Sequence, residues 1–400
     1  MRTRMKNKII PIFFVFLCMG FGDAVGPLVS LAKESFHLTN FMAQLLPAFG
    51  MIMFGVLSIP MGLVQDKKGK NFVLTLGLVL ALIGLLIPIF NGMYGPKVAL
   101  EGASMGKFYV LLLAILLLGA GATTLQVAGN PIMRDVSPEG TYSSNLSLAQ
   151  AIKAIGSSLG FLVPPAVAIA FGLDWSILFP VFATLIIINL IWLRLAHIED
   201  KKQAGNAPAS FGSCMKLLFT NGYVLLMVLG IFFYVGAEVS MSSGVPILMK
   251  EKYHMTSLGL LVSWSLFFLP IFLGRAIGSA LLRIMKPALF LIFTVAVALA
   301  GILFLFIGGE VLAFTGIVMI GLGFANVFPL IFSITVDHMP ERANELSGLM
   351  VTAIVGGAAI PPLMGMVADL AGRNILIGFL VPMVCILYIS VIAVRNLKKA

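Results

Sequence analysis

Twelve apolar runs of roughly 20 residues, parted by short polar turns, leave this 400-residue chain very few ways to fold. An α-helix rises about 1.5 Å per residue, so each run is long enough to cross about 30 Å of hydrocarbon. The runs read Ile9–Leu31, Phe41–Val64, Phe72–Phe90, Phe108–Met133, Ser143–Phe171 and Trp175–Leu195. They continue with Gly222–Met249, Ser257–Leu282, Pro287–Ile307, Val311–Val336, Ala343–Leu370 and Asn374–Val394. Only 10% of the residues are charged and 60% are hydrophobic, whereas a soluble domain carries about 25% charge. No soluble core of this size hides so much apolar surface. The alternating ten-residue strands of a membrane barrel are absent from the sequence. The expectation is an all-α polytopic membrane protein with twelve transmembrane helices.

Charge gives the threading. With alternate spans, lysine and arginine divide 18 to 6 between the two sides, and two more lie inside spans. The positive-inside rule then puts both termini in the cytoplasm of a cell membrane, a bacterial inner membrane by expectation. This topology accounts for the net charge of +10 without nucleic-acid binding. The start, "MRTRMKNK", is basic like a signal peptide, but the run behind it is long, contains Asp23 and lacks a small-x-small cleavage site. It reads as a retained helix. Cys18, Cys214 and Cys385 fit no disulfide framework and read as buried thiols.

The stretch His197–Lys216 is the longest polar one and divides the spans six and six. It suggests a bundle over 1–196, a cytoplasmic linker over 197–216 and a second bundle over 217–400. The halves echo one another. "FHLTN" at 36–40 matches "YHMTS" at 253–257, each after the first span of its half. Gly119, Gly121, Asp135, Pro138 and Glu139 recur as Gly321, Gly323, Asp337, Pro340 and Glu341, every pair 202 apart. Pro164-Pro165 recurs as Pro361-Pro362. Small residues recur in any membrane helix, but that does not produce a constant offset. Internal duplication in a transporter places the substrate site near the midplane, between the halves.

The loop after the second span reads Gly62-Leu-Val-Gln-Asp66-Lys67-Lys68-Gly69-Lys70. It resembles the signature loop of the major facilitator superfamily. Gly69 permits a tight turn, Asp66 offers an acceptor to a neighbouring helix end or Arg, and the basic residues suit a lipid surface. The expectation is a conformational latch of Gly62, Asp66, Lys67, Gly69 and Lys70, with Arg275 as a further contact. A narrower resemblance runs through most of the chain. "LQVAGNP" at 125–131, "NLSLAQAIKAIGSSLG" at 145–160, "LGRAIGSALLR" at 273–283, "NVFPLIFS" at 326–333 and "LMVTAIVGGAAIPPLMGMVADLAG" at 349–372 look like the fucose–galactose–glucose:proton symporter family. The resemblance implies two pseudo-symmetric six-helix bundles, sugar transport and proton coupling. Two positions depart from it. Gln126 stands where these symporters usually carry an acid, and Lys153 where they usually carry Asn.

Charges within a bilayer are costly and normally face a cavity or a partner. Four lie well inside spans: Asp23, Lys153, Glu238 and Arg275. Asp23 is 14 residues into its run and Lys153 is 10 into its own, so their depths differ by about 6 Å. That is within a lysine's reach. A carboxyl group in apolar surroundings holds its proton, and a nearby cation loosens it. Asp23 is therefore expected to be ionised beside Lys153 and to take a proton when the amine withdraws. A static ion pair and a direct substrate bond are the alternatives. Glu238 is the second expected proton-coupling residue. Gln126 with Asn130, and Gln150 with Lys153, share helix faces; with Asn326 they offer the donors and acceptors that suit hydroxyl-rich ligands. Tyr234 and Trp264 are candidates to stack on a sugar ring, or ordinary packing residues.

No catalytic, nucleotide-binding or metal-ligand pattern is present, so neither enzyme activity, cofactor nor metal is expected. The expected activity is import of a sugar or sugar derivative with a proton, by a monomer in the lipid bilayer. An anionic, uronate-like sugar or sodium coupling is the first alternative. A nutrient receptor without flux is the second.

Overall fold

In a computed structural model, the structure describes residues 2–93, 104–136, 142–196, 211–255, 258–281, 285–339 and 342–397. Among them no strand occurs, and twelve helical spans are long and apolar enough to cross a membrane. The first six are Ile10–Ser35, Asn40–Gln65, Lys70–Phe90, Met105–Gly129, Ala151–Phe171 and Trp175–Leu195. The second six are Gly222–Glu251, Gly259–Gly278, Pro287–Ile307, Glu310–Thr335, Gly348–Leu370 and Ile375–Asn396.

The spans form two compact units. One takes in Met1–His37 and Phe49–Pro208; the other takes in Leu38–Ala48 and Ala209–Ala400. The start of the second span thus groups with the second unit. Of the expected linker, 197–210 lie outside the described residues. Residues 211–216 open a helix, Phe211–Thr220, that buries Cys214 and Leu217, three apart on one stripe. Burial, and after it the Glu345 carboxylate, push the Cys214 thiol above its ordinary value, so it stays an inert thiol.

Small residues set the close crossings, and the duplicated glycines do the same work in each unit. A side chain on Gly119 would strike Gly50 of the second span, and one on Gly321 the Phe267 carbonyl of the eighth. Gly121 packs on Gly77 and Ala81 of the third span, and Gly323 on Thr294 and Ala298 of the ninth. The 202-residue repeat is therefore a repeat of packing: each first glycine meets the second span of its half, and each second glycine meets the third. The "FHLTN" and "YHMTS" echo has a similar cause. His37 and His254 both turn the chain with positive φ, 53° and 55°. The aromatic residue before each packs against the start of the fourth span of its half, Phe36 on Phe108 and Tyr253 on Phe314.

The first and fifth spans touch backbone to backbone. Gly20 lies against the Lys153 carbonyl, Gly156 against that of Leu17, and Gly160 against that of Ala24. A Cβ at Gly156 forces these helices apart, and overpacking of this kind costs about 1–3 kcal/mol. Gly156→Ala is expected to lower the melting temperature of the purified protein by several degrees. Gly62→Ala, where nothing lies within 4 Å, is expected to hold or raise it, since alanine favours a helix by about 1 kcal/mol over glycine.

Candidate functional site

The glycine crossing puts Asp23 and Lys153 side by side in the first unit. Pro27 cannot give an N–H to the carbonyl four residues before it, that of Asp23. The helix Arg2–Asp23 stops there, Ala24 turns, and Val25–Ser35 resumes. At this break the Asp23 carboxylate meets the Lys153 amine at 3.0 Å, with side chains 30% and 18% exposed. Ser157, one turn beyond Lys153, donates to the same carboxylate oxygen at 3.4 Å. Lys153 also donates to Gln126 Oε1 at 3.5 Å. Acid, amine, amide and hydroxyl thus come from the first, fourth and fifth spans, and the charged pair is half-buried.

The second unit has a constellation built by the same device. The helix Glu310–Phe324 ends before Ala325 and Asn326, and Val327–His338 resumes. Pro329 deprives the Ala325 carbonyl of its helical donor. Arg275 Nε donates to it at 3.3 Å, and Arg275 Nη2 lies 3.3 Å from Glu238 Oε1. The Phe324 carbonyl accepts the Tyr234 hydroxyl at 2.9 Å. Asn326 Nδ2 donates to the Gly274 carbonyl at 2.8 Å, seated against Gly278. Just before Arg275, residues Trp264–Phe268 form a π-helical turn closed by Leu269 N–H on the Trp264 carbonyl. Pro270 withholds its N–H from Leu266 and explains the widening.

These placements sort the residues expected from sequence. Asp23, Lys153 and Gln126 come together; Glu238 joins Arg275. Arg275, expected as a latch contact, has its guanidinium on Glu238 and on the broken tenth span, where Pro329 leaves an acceptor. Tyr234 is buried, with 1% exposed, and Asn326 is buried too; both brace the break rather than present a face to a ligand in this structure. Trp264 is half-buried in the π turn. The side chains of Asn130, Gln150 and Asp66 lie outside the described residues. In the loop, Gly69 has φ 89° between helices Asn40–Lys68 and Lys70–Phe90. Gly62 lies within the first of these, Lys67 is exposed, Lys70 starts the second, and Lys68 sits over the Phe72 ring at 4.7 Å. Ser157 was not expected; its spacing of four from Lys153 was the available signal.

A family model for the Major Facilitator Superfamily matches residues 12–362. A glucose/galactose transporter of Brucella abortus is 26% identical over 91% of this chain and 87% of its own length. The L-fucose-proton symporter of Escherichia coli K12 is 22% identical over 97% and 93%. Among solved structures, the transporter FucP in its outward conformation superposes with a TM-score of 0.66 at 21% identity, covering 97% of this chain and 98% of its own.

Proposed function

Because the chain belongs to the Major Facilitator Superfamily, and is thus a transporter and not an enzyme, we propose that it carries a sugar or sugar derivative together with a proton by alternating access. It stands with the fucose–galactose–glucose:proton symporters, whose members include relatives that match nearly its whole length. The observation that carries the reading is the half-buried Asp23–Lys153 pair, 3.0 Å apart and tied to Gln126. The amine and amide are what a hydroxyl-rich ligand would engage. A ligand that draws Lys153 away leaves Asp23 without its cation, and the carboxylate then takes a proton. Proton and sugar occupancy become linked, as symport requires. Glu238 with Arg275 repeats the acid–base pairing in the second unit and is the second candidate for proton uptake. The loop of Gly62, Asp66, Lys67, Gly69 and Lys70 is the proposed latch. The protein acts as a monomer in the bacterial inner membrane, with both termini cytoplasmic.

Purified protein in proteoliposomes tests this. Labelled glucose, galactose or fucose is expected to accumulate under an inward proton gradient and to leak back when a protonophore is added. Accumulation driven by sodium alone, or binding without flux, would overturn proton symport. Lys153, an amine where these symporters usually carry Asn, favours one second reading: an anionic sugar. A uronate taken up in preference to its neutral parent would establish it.

A further inference from the structure

The first turn of the second span is held by a carboxylate from far along the chain. Helix Asn40–Lys68 starts within the second unit, which includes Leu38–Ala48, and continues in the first. A helix start leaves N–H groups without helical acceptors. Asp369, from the eleventh span, accepts two of them: Asn40 N–H on Oδ1 at 2.9 Å and Phe41 N–H on Oδ2 at 2.8 Å. Thr39 Oγ1 accepts a third, from Met42 at 3.2 Å. Such bonds are charge-assisted, and the positive end of the helix dipole adds to them. Gly365, one turn before Asp369, lies against the Asn40 carbonyl and Phe41 Cα, leaving no room for a side chain.

One turn further along, Gln44 Oε1 accepts the Ser243 hydroxyl of the seventh span at 2.7 Å. Gln44 and Ser240 are wholly buried, yet Gln44 Nε2 and Ser240 Oγ have no hydrogen-bond partner among the described residues. Keeping such groups dry is unfavourable. An arrangement in which water reaches them would relieve that cost. The internal repeat does not require this contact. The double prolines are 197 residues apart, and the same offset carries Asp369 onto Gly172, which has no carboxylate to offer.

We propose that Asp369 is the positioning residue of a detachable clasp: it docks residues 38–48 onto the seventh and eleventh spans, and undocking exposes the patch of Gln44, Ser240 and Ser243 during the transport cycle. The place of this step in a cycle rests on the proposed function; the docking itself does not. The test uses purified, detergent-solubilised protein carrying Ser240→Cys and a charged maleimide. Labelling at position 240 is expected to be slow in this background. Asp369→Ala is expected to speed it about tenfold, a shift of about 1.4 kcal/mol in the opening equilibrium. Asp369→Asn, which keeps one acceptor and loses the charge, falls between, and Asp369→Glu restores the slow rate. Labelling of the buried Cys18 and Cys385, followed by mass spectrometry in the same samples, stays at the parental rate. An unchanged rate at position 240 in both Asp369→Ala and Asp369→Asn overturns the clasp. So does equal acceleration at Cys18 and Cys385, which reports general loosening. No sugar enters the measurement, so a failed uptake assay and a failed clasp are separate results.

Discussion

Asp23→Asn is expected to abolish accumulation of sugar against a gradient while sparing exchange of sugar across a preloaded liposome. A membrane potential of 100 mV is worth about 2.3 kcal/mol per charge moved, which is roughly 50-fold accumulation per proton. That whole factor is at stake, because an amide binds no proton in this range. The substitution is otherwise mild. Asn has the same shape and still accepts the Ser157 hydroxyl, which lies 3.4 Å from the native carboxylate. Lys153 keeps its contact with Gln126. Exchange needs only that the two faces of the membrane be reached in turn with sugar bound, so it separates movement from coupling. Uptake under an imposed proton gradient, measured beside counterflow in the same liposome preparation, reads both. If Asp23→Asn still accumulates sugar, this residue is not the coupling acid, and Glu238 becomes the place to look.

Lys153→Asn gives a companion measurement on the same pair. It restores the residue usual in the resembling symporters and removes the cation 3.0 Å from Asp23. A change of sugar preference would attribute the departure at this position to substrate choice. An unchanged preference would confine Lys153 to the control of the Asp23 proton.

The helices were legible because a bilayer leaves so few options for twelve apolar runs, and the repeat was legible because glycines needed for close packing keep their spacing. The Asp23–Lys153 pair was legible too: at about 1.5 Å per residue, depth along a helix is simple arithmetic. Other features depended on facts that no single span contains. Arg275 looked like a loop contact when judged by its distance from the end of its own helix. One partner it has in the structure is set by Pro329, 54 residues later, which frees the Ala325 carbonyl. Tyr234 has the composition of a sugar-stacking residue, but its hydroxyl serves the same break, on the Phe324 carbonyl. Asp369 sits near the end of an apolar span, and nothing in that span gives it a partner. Its role as a helix cap appears only when the eleventh span is set beside the start of the second. In each case periodicity places the residue along its own helix, while the partner is chosen by packing between helices distant in sequence.

Arg275→Ala is expected to slow both uptake and exchange by about tenfold to 100-fold, unlike Asp23→Asn, which spares exchange. Two bonds of the guanidinium are Nε to the freed Ala325 carbonyl and Nη2 to Glu238, each at 3.3 Å. Bonds to charged groups contribute about 1.5–3 kcal/mol apiece, and less for a pair as exposed as this one. Removing the side chain takes the cation from the Glu238 carboxylate and the Nε donor from the Ala325 carbonyl of the broken tenth span. Both effects act on helix geometry, so movement itself suffers and not coupling alone. Arg275→Lys discriminates between the two bonds, because an ammonium can pair with Glu238 but lacks the rigid fork that serves both acceptors at once. Recovery to within about threefold of the parent would assign the effect to charge pairing, and little recovery would assign it to the brace at Ala325. Combining Arg275→Ala with Glu238→Gln, which removes the carboxylate charge as well, is expected to regain part of the exchange rate, the non-additivity of groups in direct contact. Exchange at the parental rate in Arg275→Ala would show that neither bond matters to movement, and the second constellation would then be a static crosslink between the seventh, eighth and tenth spans.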